Sequence, residues 1–115
     1  MTINRTALER LKSIGGLNLL SRMVDLFRQN VLNRFDEISN GMDKSDNQEV
    51  IRGFHSIKSS AGNVGAEKLQ AMAAAGEKHA VEWDQYTLQT HLDEMKSEYE
   101  SVSIELEQYR GGGTL

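Results

Sequence analysis

No proline occurs anywhere in the 115 residues, where about five or six would be average for that length. Proline lacks a backbone N–H and clashes with the preceding helical turn, so it ends or kinks helices. Its absence leaves long helices free to form, and the apolar residues follow the helical period of three and four. Leu8, Leu11 and Ile14 form a first stripe, after candidate caps at Asn4 or Thr6 and a Thr6-x-x-Glu9 box, and Gly15-Gly16 is expected to stop that short helix. Leu17, Leu20, Val24, Phe27, Val31, Phe35 and Ile38 form the second stripe, with Asn40-Gly41 as its expected close.

Asp43–Asn47 is a polar loop carrying two capping boxes, Ser45-x-x-Gln48 and Asp46-x-x-Glu49. Val50, Phe54, Ile57, Ala61 and Val64 continue the helical spacing, and Gly65 suits the left-handed residue after that helix. A helix over about 67–80 turns Leu69, Met72, Ala73, Gly76 and Ala80 inward. Asp84 caps the last helix, with Trp83 and Leu88 placed as a hydrophobic staple. Leu88, Leu92, Met95, Tyr99, Val102, Leu106 and Tyr109 then repeat with heptad regularity. Such heptads could pair two chains. Three other amphipathic helices also need a partner face, however, so packing within one chain is expected. The fold class is all-α: an up-down antiparallel four-helix bundle with a short N-terminal helix packed across it. Residues 1–110 are read as one domain and 111–115 as a flexible C-terminal tail.

Composition narrows the function. The chain is 38% apolar and holds ten glycines, which suits a globular core. Its net charge of −4 offers no basic field for a duplex, so a general nucleic-acid binder is excluded. With no cysteine, disulfides, thiolate zinc sites and cysteine nucleophiles are ruled out. There is no signal-peptide core near Met1 and no apolar run of about 18 residues, so a cytoplasmic protein that does not span a membrane is expected. Phosphate-binding, dinucleotide-binding, hydrolase and zinc-protease motifs are missing. Arg52, Gly76 and Leu88 stand three residues before His55, His79 and His91, so no Glu-x-x-His pair exists for a di-iron centre. No cofactor and no metal are expected.

Among the histidines, His79 and His91 read as solvated helix residues. His55 lies about 120° or more from the centre of its helix's apolar stripe and therefore faces water. Lys58 and Ser59 follow one turn on, Gly62 two turns on, and Arg52 precedes by one turn. Gly53, Gly62 and the serines weaken the helix, since Gly costs about 1 kcal/mol against Ala, and keep that face low enough for a second protein to approach. A neutral imidazole offers a lone pair at pH 7, and Lys58 and Arg52 can offset the charge of an incoming phosphoryl group. The residues alone leave two readings open, a nucleophile toward an anionic group and an ordinary surface histidine.

The stretch His55-Ser56-Ile57-Lys58-Ser59-Ser60-Ala61-Gly62-Asn63-Val64-Gly65-Ala66 resembles the signature of histidine phosphotransfer domains. The similarity extends to Leu69, Ala73 and Glu77 downstream and to Leu26-Phe27 and Gly15-Gly16 upstream. This resemblance implies that His55 carries the phosphoryl group on its ε nitrogen, that Lys58 helps hold it, and that Ser59 and Gly62 keep the docking surface low. It also implies partners: the receiver domain of a hybrid sensor kinase or of a response regulator, whose aspartate exchanges the phosphoryl group and which supplies Mg²⁺. Two positions depart from the family's habit. Ser59 stands in place of the usual Gly, and Gly76 in place of a larger apolar residue, which brings its helix pair closer. Leu19, Met23 and Leu26, off the main stripe of the second helix, form a candidate docking patch, unless the N-terminal helix covers them.

The chain is thus expected to be a monomeric phosphocarrier of a multistep two-component phosphorelay and not a self-sufficient enzyme. Two rival roles use the same fold: a docking adaptor that is never phosphorylated, toward which Ser59 leans, and the phosphoacceptor domain of a histidine kinase.

Overall fold

The computed structural model of the chain describes residues 3–111. Residues 1–2 and 112–115, and with them most of the expected tail, lie outside the described residues. Four helices follow one another: α1 (Arg5–Lys44), α2 (Asn47–Asn63), α3 (Glu67–His79) and α4 (Gln85–Arg110). Each packs on the next, and α4 closes against α1. All neighbours run antiparallel. Arg34 meets Ser56 while Asn30 meets Ser60, Lys58 meets Glu77, and Gln85 reaches Met42 while Arg110 reaches Asp25.

A straight helix of 40 residues would run about 60 Å, yet the longest dimension of the molecule is 42 Å. The break comes at Gly16, whose φ of 70° and ψ of −166° suit a residue without a Cβ. The expected stop at Gly15-Gly16 is therefore a sharp bend. The N-terminal stretch before it starts at Asn4, whose side chain accepts from the Thr6 N–H at 3.0 Å, so Asn4 and not Thr6 is the cap. Of the candidate docking patch, Leu26 is exposed while Leu19 and Met23 are half-buried. The N-terminal stretch inserts Ile3 and Leu8 into the core, bonds Asn4 N–H to Gly65 O at 2.7 Å and lays Arg5 over the Tyr109 ring.

The second expected end, at Asn40-Gly41, is overturned, because α1 runs on to Lys44 and terminates at Ser45 in the left-handed region, φ 55°. Gly41 serves close packing instead, since a Cβ there would lie 2.9 Å from Val50 Cγ2. Of the two capping boxes, Asp46 is the one that caps α2, accepting from the Glu49 N–H at 3.1 Å. Asp84 caps α4 by accepting from Thr87 N–H at 2.7 Å, and backbone donation to its carboxylate holds the pKa below the ordinary value.

The stripes read from the sequence line one continuous core, with Val31, Ile38, Phe54, Ile57, Leu69, Leu92, Val102 and Leu106 fully buried. The heptad face of α4 lies inside this core, which removes it as a coiled-coil seam. Gly76 lets α3 pack tightly on α2: a Cβ there would meet the Phe54 ring at 2.5 Å. His91 differs from its expected solvated state. It is half-buried, its Nε2 lies 2.7 Å from Met72 O, and its ring packs on Trp83, so it ties α4 to α3.

Candidate functional site

The α2–α3 pair is a tight helical hairpin. Gly65 makes its turn with φ 76°, and a Cβ there would collide with Asn4 O. Folding back about Ala66 sets residue 77 level with residue 55. His55, with a side chain 60% exposed, thereby faces Glu77 of α3, and its Nδ1 lies 2.6 Å from Glu77 Oε2. An ionised carboxylate can only accept a hydrogen bond, so Nδ1 carries the proton. In that neutral tautomer the lone pair is on Nε2, which has no protein partner among the described residues.

Glu77 also binds Lys58, whose Nζ donates to Oε1 at 2.6 Å. The Lys58 hydrogen bond, opposed by desolvation and assisted by the bond from His55, holds the Glu77 carboxyl below its ordinary pKa of 4.5. At neutral pH it is therefore ionised and able to orient the ring. Lys58 has three N–H donors and commits one to Glu77. Glu77 is the residue the sequence reading leaves without a role, matching it only as a spaced Glu. The legible signal is its distance from the turn, eleven residues after Ala66 as His55 is eleven before it.

Two open grooves flank His55. The first, of about 460 Å³, is lined by Met23, Leu26, Phe27 and Ser59 among others. Met23 is half-buried and Leu26 is 51% exposed, so two residues of the candidate patch meet the histidine. Leu19, half-buried higher on α1, does not line that groove. The second groove, of about 510 Å³, is lined by Arg34, Glu37, Ile51, Arg52, Ser56 and Glu77 together with His55. Arg52 and Ser59 are exposed.

The glycines near the site also serve helix packing. Gly53 is buried, and a Cβ on it would strike Ile38 and come within 3.3 Å of Arg34 O, so it lets α1 approach α2. Gly62 is half-buried beneath the Gln70 amide of α3, whose Nε2 would lie 2.8 Å from an added Cβ. Beside Gly53, Arg34 Nε donates to Ser56 Oγ at 3.0 Å and to Asn30 Oδ1 at 3.3 Å, and Asn30 bonds Ser56 and Ser60. This polar network on the α1 side of His55 is not anticipated by the sequence reading, because only the packing of α1 on α2 brings its members together.

An exposed imidazole with one nitrogen held by a carboxylate is suited to accept a group on the other nitrogen. The positive charge that then develops on the ring is matched by Glu77.

No curated protein matches the chain. The crystal structure of histidine-containing phosphotransfer protein B (HptB) from Pseudomonas aeruginosa PAO1 is similar in fold, with a TM-score of 0.86 and 20% identity over 96% of this chain and 95% of that one. The profile of the Hpt domain matches residues 22–108, which span the second part of α1, the His55 hairpin and nearly all of α4. The chain therefore belongs to the Hpt domain family of histidine phosphotransfer domains.

Proposed function

We propose that this Hpt domain is a stoichiometric phosphocarrier in a two-component phosphorelay, with His55 as its phosphorylated residue. Nε2 attacks the phosphorus of an aspartyl phosphate on a receiver domain. The Nε2–P bond forms, the Oδ–P bond breaks and the aspartate carboxylate leaves. The proton on Nδ1 stays where it is, and Glu77 balances the imidazolium charge. Reversal against a second receiver passes the group on. Lys58 holds a phosphoryl oxygen with its remaining donors. Arg52, Ser59, Gly62, Met23 and Leu26 belong to the surface a receiver covers, with Leu19 at its far margin. The receiver brings the metal and most of the electrostatic stabilisation of the transferring group.

The observation that carries this reading is the 2.6 Å contact between His55 Nδ1 and Glu77 on a largely exposed ring. Incubation with a phosphorylated receiver and Mg²⁺ should give an acid-labile, base-stable label on the wild type and none on a folded His55→Gln variant. Label on His55→Gln would move the site elsewhere. No label on folded wild type with several receivers would leave a docking adaptor as the function.

A further inference from the structure

The charges around His55 do not balance once it carries a phosphoryl group. Lys58 is paired with Glu77, the same carboxylate that holds the ring, so its charge is already largely compensated. Arg52 is exposed and makes no hydrogen bond or ion pair among the described residues, so none of them fixes its position. The remaining cation is Arg34, on α1. Its side chain is 37% exposed, and it is set in place by Nε hydrogen bonds to Ser56 and Asn30 and by a long contact of 3.3 Å from Nη1 to Glu37. Nη2 has no partner among the described residues. Ser56 adjoins His55 in the chain, and Arg34 and His55 line the same groove of about 510 Å³. Buried Gly53 is what allows α1 to bring this arginine so close to α2.

We propose that Arg34 is a positioning cation for phosphorylated His55: it presents a pre-set guanidinium to the phosphoryl group from the α1 side, opposite Lys58 on the α3 side. The inference rests on the reading of His55 as the phosphorylated residue. A planar guanidinium fixed before the group arrives loses little entropy on engaging it, and hydrogen bonds between charged partners are about twice as strong as neutral ones. Arg34 therefore favours the phosphorylated carrier over the phosphorylated receiver. It also holds the phosphoryl group in its more ionised form.

The test compares wild type with Arg34→Gln, Arg34→Lys and His55→Gln, each first checked for an unchanged helical circular dichroism spectrum. Two quantities are read: the equilibrium distribution of label between carrier and a phosphorylated receiver, and the phosphoryl pKa from the ³¹P resonance of phosphohistidine. Arg34→Gln should move the equilibrium toward the receiver by about tenfold, the worth of one charge-assisted hydrogen bond, and raise the phosphoryl pKa by about half a unit or more. Arg34→Lys, which keeps the charge and loses the Ser56–Asn30 fork, should recover most of the pKa shift. Arg34→Gln within twofold of wild type and with an unmoved pKa would overturn the proposal. So would Arg34→Lys behaving like Arg34→Gln in both readouts, since that pattern marks a purely structural arginine. Failure of the His55 reading is a separate result, seen as label on His55→Gln or none on wild type.

Discussion

Glu77 touches His55 and Lys58 at once. Its carboxyl is held below the ordinary 4.5 first by Lys58 and then, against desolvation, by His55. Between the folded and unfolded pKa values the unfolded chain binds more protons, so stability rises with pH across that window. The contribution is complete above the unfolded value and is lost as pH falls through the folded one. Denaturant titrations of wild type and Glu77→Gln should therefore differ by up to about 1 kcal/mol above pH 5 and converge toward pH 3. A gap that widens on acidification would contradict this sign. Glu77→Ala should in addition free the ring to populate the other tautomer, visible as a change in the ¹⁵N shifts of His55. The residues His55 and Lys58 are legible in the sequence because they are three positions apart on one helix. Arg34 is not, and Glu77 is matched there without a role, since each is brought to His55 by a different helix.

At the level of elements, the glycines separate into kinds that sequence alone cannot distinguish. Gly16 and Gly65 have positive φ and make a bend and a turn. Gly41, Gly53 and Gly76 are helical and buried, and each allows a neighbouring helix to come within contact distance. The reading of Gly15-Gly16 and Gly65 as breaks succeeds because left-handed backbone is a local demand. Asn40-Gly41 misleads because the helix gains more by burying Gly41 against Val50 than by ending there, and Ser45 takes the left-handed turn instead. Gly65→Ala is expected to cost about 1–2 kcal/mol from backbone conformation alone, with the collision at Asn4 O in addition. Thermal unfolding checks the sum, and a loss below about 0.5 kcal/mol would mean that the N-terminal stretch does not rest on this turn.

Across the whole molecule, the N-terminal stretch and α4 are the parts that close the bundle. Arg110 reaches back to Ser21 O at 3.2 Å and Asp25 at 2.5 Å, and Glu107 bridges Arg110 and Arg28, so the end of α4 is tied along α1. Aspartate, glutamate and two arginines draw together there, and the guanidinium of Arg110 is held above its ordinary pKa chiefly by Asp25. Leu8, buried to 1% exposure, anchors the stretch before the Gly16 bend. Leu8→Ala should cost about 2–3 kcal/mol of global stability, measured by denaturant unfolding. If hydrogen exchange instead showed only residues 5–15 opening in that variant, the stretch would be an appendage and not part of the cooperative core. By itself the sequence determined the helical class, the inward stripes, the cap at Asp84 and the exposure of His55. All of these follow from periodicity and backbone chemistry within a few turns. The tertiary structure alone decided which carboxylate orients His55, which α1 arginine shares its groove and which glycines are interior. Those are contacts between helices, and their register is set by close packing at glycines whose neighbours lie far away in the chain.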